Sequence, residues 1–126
     1  MKFGGKDTLL EFIIERSLSF GLSPIVCTSV HESDNVIEKI AVKCQIPCYR
    51  GSLDNKIKRW FQCARHYKMS SFHTIDADDP YFDGERMLQS LALLKRENLD
   101  YLKPSKYSDS GGATEGYSIK TDFLEN

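Results

Sequence analysis

The sequence has few features of a zinc-binding, nucleic-acid-binding or membrane protein. Its four cysteines include no C-x-x-C pair and its three histidines form no second ligand pair, so we expect reduced, buried thiols and no structural zinc. The net charge of -1 lacks the basic excess typical of nucleic-acid binders. Apolar stretches, such as the one ending at Leu94, are far shorter than the roughly 20 residues of a bilayer span. Because no signal-peptide h-region is apparent at the N-terminus, we expect a cytoplasmic protein that binds neither nucleic acid nor membrane.

The length, composition and apolar patterning of the sequence predict a single α/β domain over residues 1–126. The length, the 40% hydrophobic share and the 28% charged share are those of one globular domain. Periodic apolar residues predict helices over Thr8–Phe20, from Asp34 to Cys44, over Asp54–Lys68 and from Asp83 to about Leu99. Short apolar runs predict strands over Pro24–Thr28, Cys48–Arg50, Ser71–Ile75 and Asp100–Leu102, and Tyr107–Tyr117 is predicted as a loop. Alternation of this kind is typical of a mainly parallel sheet covered by helices. Ser33 and Asp34 are the predicted caps of the second helix, and Asp83 is that of the fourth.

The buried first strand with which an open α/β sheet usually begins is also missing. The segment Met1–Lys6 leads almost directly into the first predicted helix. The first strand is either absent or supplied by another chain. A homodimer or a partner chain that completes the sheet is therefore a further expectation.

The acidic stretch "DADDPYFD" (Asp76–Asp83) follows the third predicted strand directly. Ligands bind at the carboxyl ends of strands in parallel sheets, so this position favours a function. Asp76 and Asp78 form a D-x-D pattern whose two carboxylates can point to the same side and converge on one hard cation. Pro80 fixes the turn that follows and biases Asp79 towards an extended backbone.

A purely structural interpretation of the acidic stretch stays open. Asp76 is then an exposed loop acid, Asp79 a turn former and Asp83 only the N-cap of the next helix. A D-x-D pattern also arises by chance in many proteins. Residue types alone do not decide between the two interpretations.

The order of these features resembles that of the cytidylyltransferases that activate acidic sugars, and most closely the branch of acylneuraminate cytidylyltransferase-like and spore-coat polysaccharide biosynthesis proteins. Four segments carry the resemblance: "GGKDTLLEFIIERS", "PIVCTSVHESDNVIEKIA", "YRGSLDNKIKRWFQCAR" and "FHTIDADDPYFD". The last two are the most specific, and "EGYSIKTDFL" adds a weaker match. The resemblance implies a Rossmann-like three-layer sandwich of the nucleotide-diphospho-sugar transferase type.

The resemblance also implies roles for individual residues. It makes Asp78 the magnesium-binding acid, and the D-x-D pattern adds Asp76 as a second candidate ligand. The candidate substrate- or nucleotide-binding residues are Gly51, Arg59, Asp79 and Pro80. For Arg59, a surface ion pair with Asp54 or Glu38 is an alternative that stays open.

The implied activity is the transfer of CMP from CTP to an acidic or modified sugar, with magnesium and with release of pyrophosphate, in surface polysaccharide biosynthesis. The family's triphosphate-binding loop would lie before Met1, and family members continue beyond Asn126. We therefore expect a truncated member that is weak or inactive alone. Two alternatives stay open: a non-catalytic, nucleotide- or sugar-binding subunit that depends on a partner, and a metal-dependent glycosyltransferase that uses the D-x-D motif.

Overall fold

The computed structural model describes residues 8–76, 82–103 and 116–125. The helices in this part of the chain are α1 (Leu9–Ser19), α2 (Asn35–Lys43), α3 (Lys56–His66) and α4 (Gly84–Arg96). The strands are β1 (Val26–Ser29), β2 (Cys48–Gly51), β3 (Ser71–His73), β4 (Tyr101–Leu102) and β5 (Ser118–Lys120). Two short 3₁₀ helices cover Glu32–Asp34 and Thr121–Glu125. The predicted α/β class is confirmed.

The strands form one parallel and one antiparallel sheet within the described residues. β1 and β2 pair in parallel, with Val26 opposite Cys48 and Ser29 opposite Gly51. β5 lies between β3 and β4 and is antiparallel to both. The parallel pair follows the prediction, whereas β5 was not predicted as a strand, and its pairing makes the second sheet antiparallel.

Side-chain caps set the starts of α1, α3 and α4, and at α3 Asn55 Oδ1 accepts a hydrogen bond from the Lys58 N–H (2.9 Å). Thr8 Oγ1 accepts a hydrogen bond from the Glu11 backbone N–H (3.1 Å) at the start of α1. The Asp83 carboxylate accepts one from the Arg86 N–H (3.1 Å), which confirms the predicted cap of α4. Asp34 occupies the predicted N-cap position of α2, but its side chain makes no capping bond to that helix. Its carboxylate is used instead at the end of β1.

The helices cover the sheets and enclose the core. α3 lies against both sheets, since the Tyr49 ring of β2 contacts His66 (centroids 5.5 Å apart) and the Phe72 ring of β3 contacts Trp60 (6.5 Å). α2 packs on the β1–β2 pair, and α4 packs on the antiparallel sheet. A buried cluster joins α1 to the start of α4 and consists of Ile13, Phe82 and Met87, with Leu9, Phe20, Leu22 and Ile75 packed around it. Within the described ranges, no helix combines the length and the apolar character that crossing a membrane requires.

Candidate functional site

The turn after β1 is built around one carboxylate. Asp34 accepts hydrogen bonds from Thr28 Oγ1 (2.9 Å), from the Ser29 backbone N–H (3.2 Å) and from Ser29 Oγ. The hydrogen bonds from the hydroxyls of Ser29 and Thr28, in that order, hold the pKa of Asp34 below its usual range because they stabilise the ionised form. Both hydroxyls are therefore engaged in shaping the turn.

Arg50 ties this turn to β2. Its guanidinium donates to the carbonyls of Ser29 (2.8 Å) and His31 (2.7 Å) and to Asn35 Oδ1 (2.8 Å). It also lies 3.6 Å from a Glu38 carboxylate oxygen. Sequence reasoning missed Arg50, although its place before Gly51 at the end of a predicted strand was an available signal.

Gly51 and Arg59, two of the predicted site residues, lie in contact. Gly51 is buried at the end of β2, and a Cβ added there would stand 3.1 Å from Arg59 Cγ and 3.0 Å from Tyr49 Cε1. The missing side chain at Gly51 thus lets the stem of Arg59 pass close to the backbone. The turn and the helix that the resemblance singles out meet at this point.

Arg59 stabilises the loop between β2 and α3. Its Nη1 donates to the Ser52 carbonyl (2.9 Å). Its Nε is buried and has no hydrogen-bond partner among the described residues. The alternative of an ion pair with Asp54 or Glu38 is wrong, because neither pair forms and Glu38 instead faces Arg50.

Asp76 is the part of the predicted metal site that the structure describes. It follows β3 and its side chain is exposed. Asp78, Asp79 and Pro80 lie outside the described residues, so their assignments stay predictions. Within the described part of the chain, no hydrogen bond or ion pair links Asp76 to Gly51 or Arg59.

Two residues anchor the ends of the acidic stretch. Ile75 packs on the core cluster before the stretch, and Phe82, 1% exposed, is buried in it near the end. Arg16 of α1 donates to the Phe82 carbonyl through Nη2 (2.9 Å) and Nε (3.3 Å), and its guanidinium lies 5.3 Å from the centroid of the Phe82 ring. Arg16 is therefore a positioning residue, which sequence reasoning missed because its partner is 66 residues away.

A hydrogen-bonded chain joins β3, β5 and α4. His73 Nδ1 lies 2.7 Å from Ser118 Oγ, which lies 2.6 Å from Ser90 Oγ. Ser118 is completely buried. The half-buried His73 thus has a structural partner and holds the strand that leads into the acidic stretch.

Comparison with solved structures identifies the fold type. The chain is similar to a cytidylyltransferase from Leptospira borgpetersenii serovar Hardjo-bovis (strain JB197), with a TM-score of 0.83 and 23% sequence identity over 99% of this chain. The likeness covers 54% of that protein, so the chain spans about half its length. No protein-family model and no curated protein matches the sequence. The chain has the α/β fold of a cytidylyltransferase, which supports the resemblance at the level of the fold.

Proposed function

We propose that this chain is a nucleotidyltransferase that moves CMP from CTP to an acidic or modified sugar in surface polysaccharide biosynthesis. The observation that carries the proposal is the superposition of 99% of the chain on a cytidylyltransferase. The segments of the sequence resemblance give separate support. The two most specific ones fall on β2–α3 and on β3 with the acidic stretch.

Asp76 and Asp78 are the residues that would hold magnesium. The Asp76 carboxylate is exposed three residues after the end of β3, and carboxylate oxygens are the protein ligands that magnesium prefers. No group of three possible metal ligands occurs among the described residues, but magnesium commonly takes only one or two carboxylates together with substrate phosphates. When bound, magnesium neutralises phosphate charge during the attack of a sugar oxygen on the α-phosphorus and the departure of pyrophosphate.

Gly51 and Arg59 would bind the anionic substrates. The Arg59 guanidinium donates from Nη1 to the carbonyl of Ser52, and Arg59 is half-buried beside Gly51. A planar guanidinium is well suited to bind a phosphate or a sugar carboxylate through its Nη groups. Asp79 and Pro80 would shape the turn beside the nucleotide.

The assignment is tested by calorimetric titration of the chain with CTP, with and without magnesium. We expect magnesium-dependent binding, and we expect Asp78→Ala to weaken it about tenfold or more, which corresponds to about 1.4 kcal/mol. Asp100→Ala is the matched control, because Asp100 is an exposed acid beside β4. It should bind like the wild type.

Other outcomes select the alternatives. Binding of CTP without turnover of an acidic sugar would favour the non-catalytic subunit, and turnover of a UDP-sugar would favour the glycosyltransferase. Equal binding by wild type and Asp78→Ala would contradict the metal assignment. The activity is proposed for a chain that spans about half of its structural neighbour, so binding is measured before turnover.

We further propose that a strand of a second copy or of a partner chain completes the sheet. In the described residues, β1 pairs only with β2 and β3 pairs only with β5, so each leaves one edge unpaired. Unpaired edges are templates for strand addition. Light scattering over a concentration series should show a dimer, and a monomer at all concentrations would leave the partner chain as the candidate.

A further inference from the structure

Two thiols meet where β1 packs on α3. Cys27 of β1 is opposite Tyr49 of β2, and the Tyr49 ring contacts α3 through His66. Directly opposite residues of paired strands point to the same face, so Cys27 also faces α3. Its Sγ donates to the Arg59 carbonyl (3.7 Å). Cys63 stands one helical turn beyond Arg59, and a helical side chain lies over the turn N-terminal to its own Cα, which brings the Cys63 thiol to the same point.

The other cysteine of the parallel sheet points away from this pair. Cys48 is opposite Val26, and Val26 precedes Cys27 in β1. Because successive side chains of a strand alternate between faces, Cys48 and Cys27 lie on opposite faces of the sheet. Burial and then the negative charge of Glu38 in α2 raise the pKa of Cys48. Cys48 therefore faces α2 and is the natural internal control.

The two thiols of the pair differ in exposure and acidity. Cys27 is half-buried, whereas Cys63 is only 4% exposed. The neighbouring Cys63 thiol and the positive charge of Arg59 lower the pKa of Cys27 in spite of its burial. The neighbouring Cys27 thiol and burial raise the pKa of Cys63. Cys27 is thus the thiol that ionises and meets an oxidant first.

We propose that Cys27 and Cys63 are a reversible dithiol–disulfide pair that links β1 to α3. The Cys27 thiolate attacks one sulfur of a small disulfide such as glutathione disulfide, and one glutathione leaves as thiolate. The Cys63 sulfur then displaces the second glutathione from Cys27, and the proton of Cys63 passes to the departing thiolate. The protein loses two electrons and two protons, and glutathione disulfide is reduced to two molecules of glutathione.

The disulfide would act on the candidate site through Arg59. Its formation removes the S–H group that now donates to the Arg59 carbonyl, and the stem of Arg59 packs on Gly51. Oxidation therefore removes a hydrogen bond to the backbone of Arg59, the residue whose side chain packs on Gly51. The disulfide itself does not depend on the proposed nucleotidyl transfer, and its test uses thiol chemistry alone.

The test is oxidation of the wild-type chain with glutathione disulfide, followed by mass spectrometry. We expect two of the four free thiols to disappear, with a mass loss of about 2 Da and full reversal by dithiothreitol. Trypsin separates the cysteines into the peptides Ser17–Lys39 with Cys27, Trp60–Arg65 with Cys63, and Cys44–Arg50 with Cys44 and Cys48. A cross-link between the first two peptides is the expected product.

Two variants make the result decisive. Cys48→Ser should form the same cross-link, whereas Cys63→Ser should stop at a glutathione adduct on Cys27, because the resolving thiol is gone. A cross-link that contains Cys44–Arg50 would overturn the proposal. So would wild-type protein that keeps all four thiols or stops at glutathione adducts.

Discussion

The carboxyl ends of β2 and β3 are built in different ways. At the end of β2, beside the turn after β1, polar side chains are engaged with one another, as in the bonds of Asp34 to Ser29 and of Arg50 to the same turn. At the end of β3, the described carboxylate, Asp76, is exposed, and the described residues Ile75 and Phe82, which lie before and after residues 77–81, pack on the core. In the first region, the carboxylate and the guanidinium are occupied by hydrogen bonds within the protein. In the second region, the carboxylate of Asp76 is exposed and can bind a ligand.

The comparison predicts two kinds of mutational effect. Changes in the bonded turn or in the anchors should lower the free energy of unfolding, since they leave buried or hydrogen-bonded groups without partners. Changes at Asp76 should leave stability intact and alter ligand binding.

Phe82→Ala should cause the largest loss, because it empties the core site beside the acidic stretch. Truncation of a buried Phe costs about 3–5 kcal/mol, and Phe82 is 1% exposed. Urea unfolding measures the change. Phe123→Ala is the control, because Phe123 is 45% exposed and stacks only on Tyr101 among the described rings, so we expect less than about 1 kcal/mol. Equal losses of unfolding free energy in the two variants would contradict the greater contribution to stability assigned to the buried Phe82.

Asp34→Asn should destabilise the turn after β1 in a pH-dependent way. The pKa of Asp34 is lowered in the folded chain, so its ionised form contributes stability above the ordinary value of 3.8, and the contribution is lost as the pH falls below it. We expect a loss of about 1 kcal/mol at neutral pH, because Asp34 accepts several hydrogen bonds at a partly exposed position.

Unfolding of wild type and Asp34→Asn over a pH series measures this effect. The difference between the two should stay constant at neutral pH and shrink as the pH falls below about 3.8, because the carboxylate is then protonated in the unfolded chain first and in the folded chain at lower pH. Asp100→Asn, at an exposed position, should show no such trend. A difference that grows towards low pH would contradict the role given to the ionised Asp34.

Local patterns in the sequence predicted most of the helices and strands, because their causes lie within a few residues. The apolar stripe of α3 and the cap of α4 at Asp83 are examples. β5 was missed because its three residues have no period of their own and form a strand only through pairing with β3 and β4. A short strand in the centre of a sheet is a product of tertiary structure.

The candidate site divides in the same way. Gly51 and Arg59 were named from the family resemblance of two adjacent segments, and the structure brings them together. Asp34 lies at the predicted N-cap position of α2, but its carboxylate accepts hydrogen bonds from Thr28 and Ser29 instead of capping the helix. Arg16 could not be found from the sequence, because its role depends on the packing of α1 against Phe82. The sequence therefore indicated which segments contribute to the candidate site, but not which distant residues hydrogen-bond to each other.

Asp76→Asn should have the smallest effect on stability and a specific effect on binding. The side chain is exposed, and substitution at such positions changes the free energy of unfolding by about 0.5 kcal/mol or less. An amide is a poorer magnesium ligand than a carboxylate, so CTP binding in magnesium should weaken while binding without magnesium stays unchanged. Asp100→Asn serves again as the exposed control. If Asp76→Asn lowered stability by more than about 1 kcal/mol, or weakened binding equally without magnesium, the end of β3 would be a bonded region like the end of β2, and the division between the two would fail.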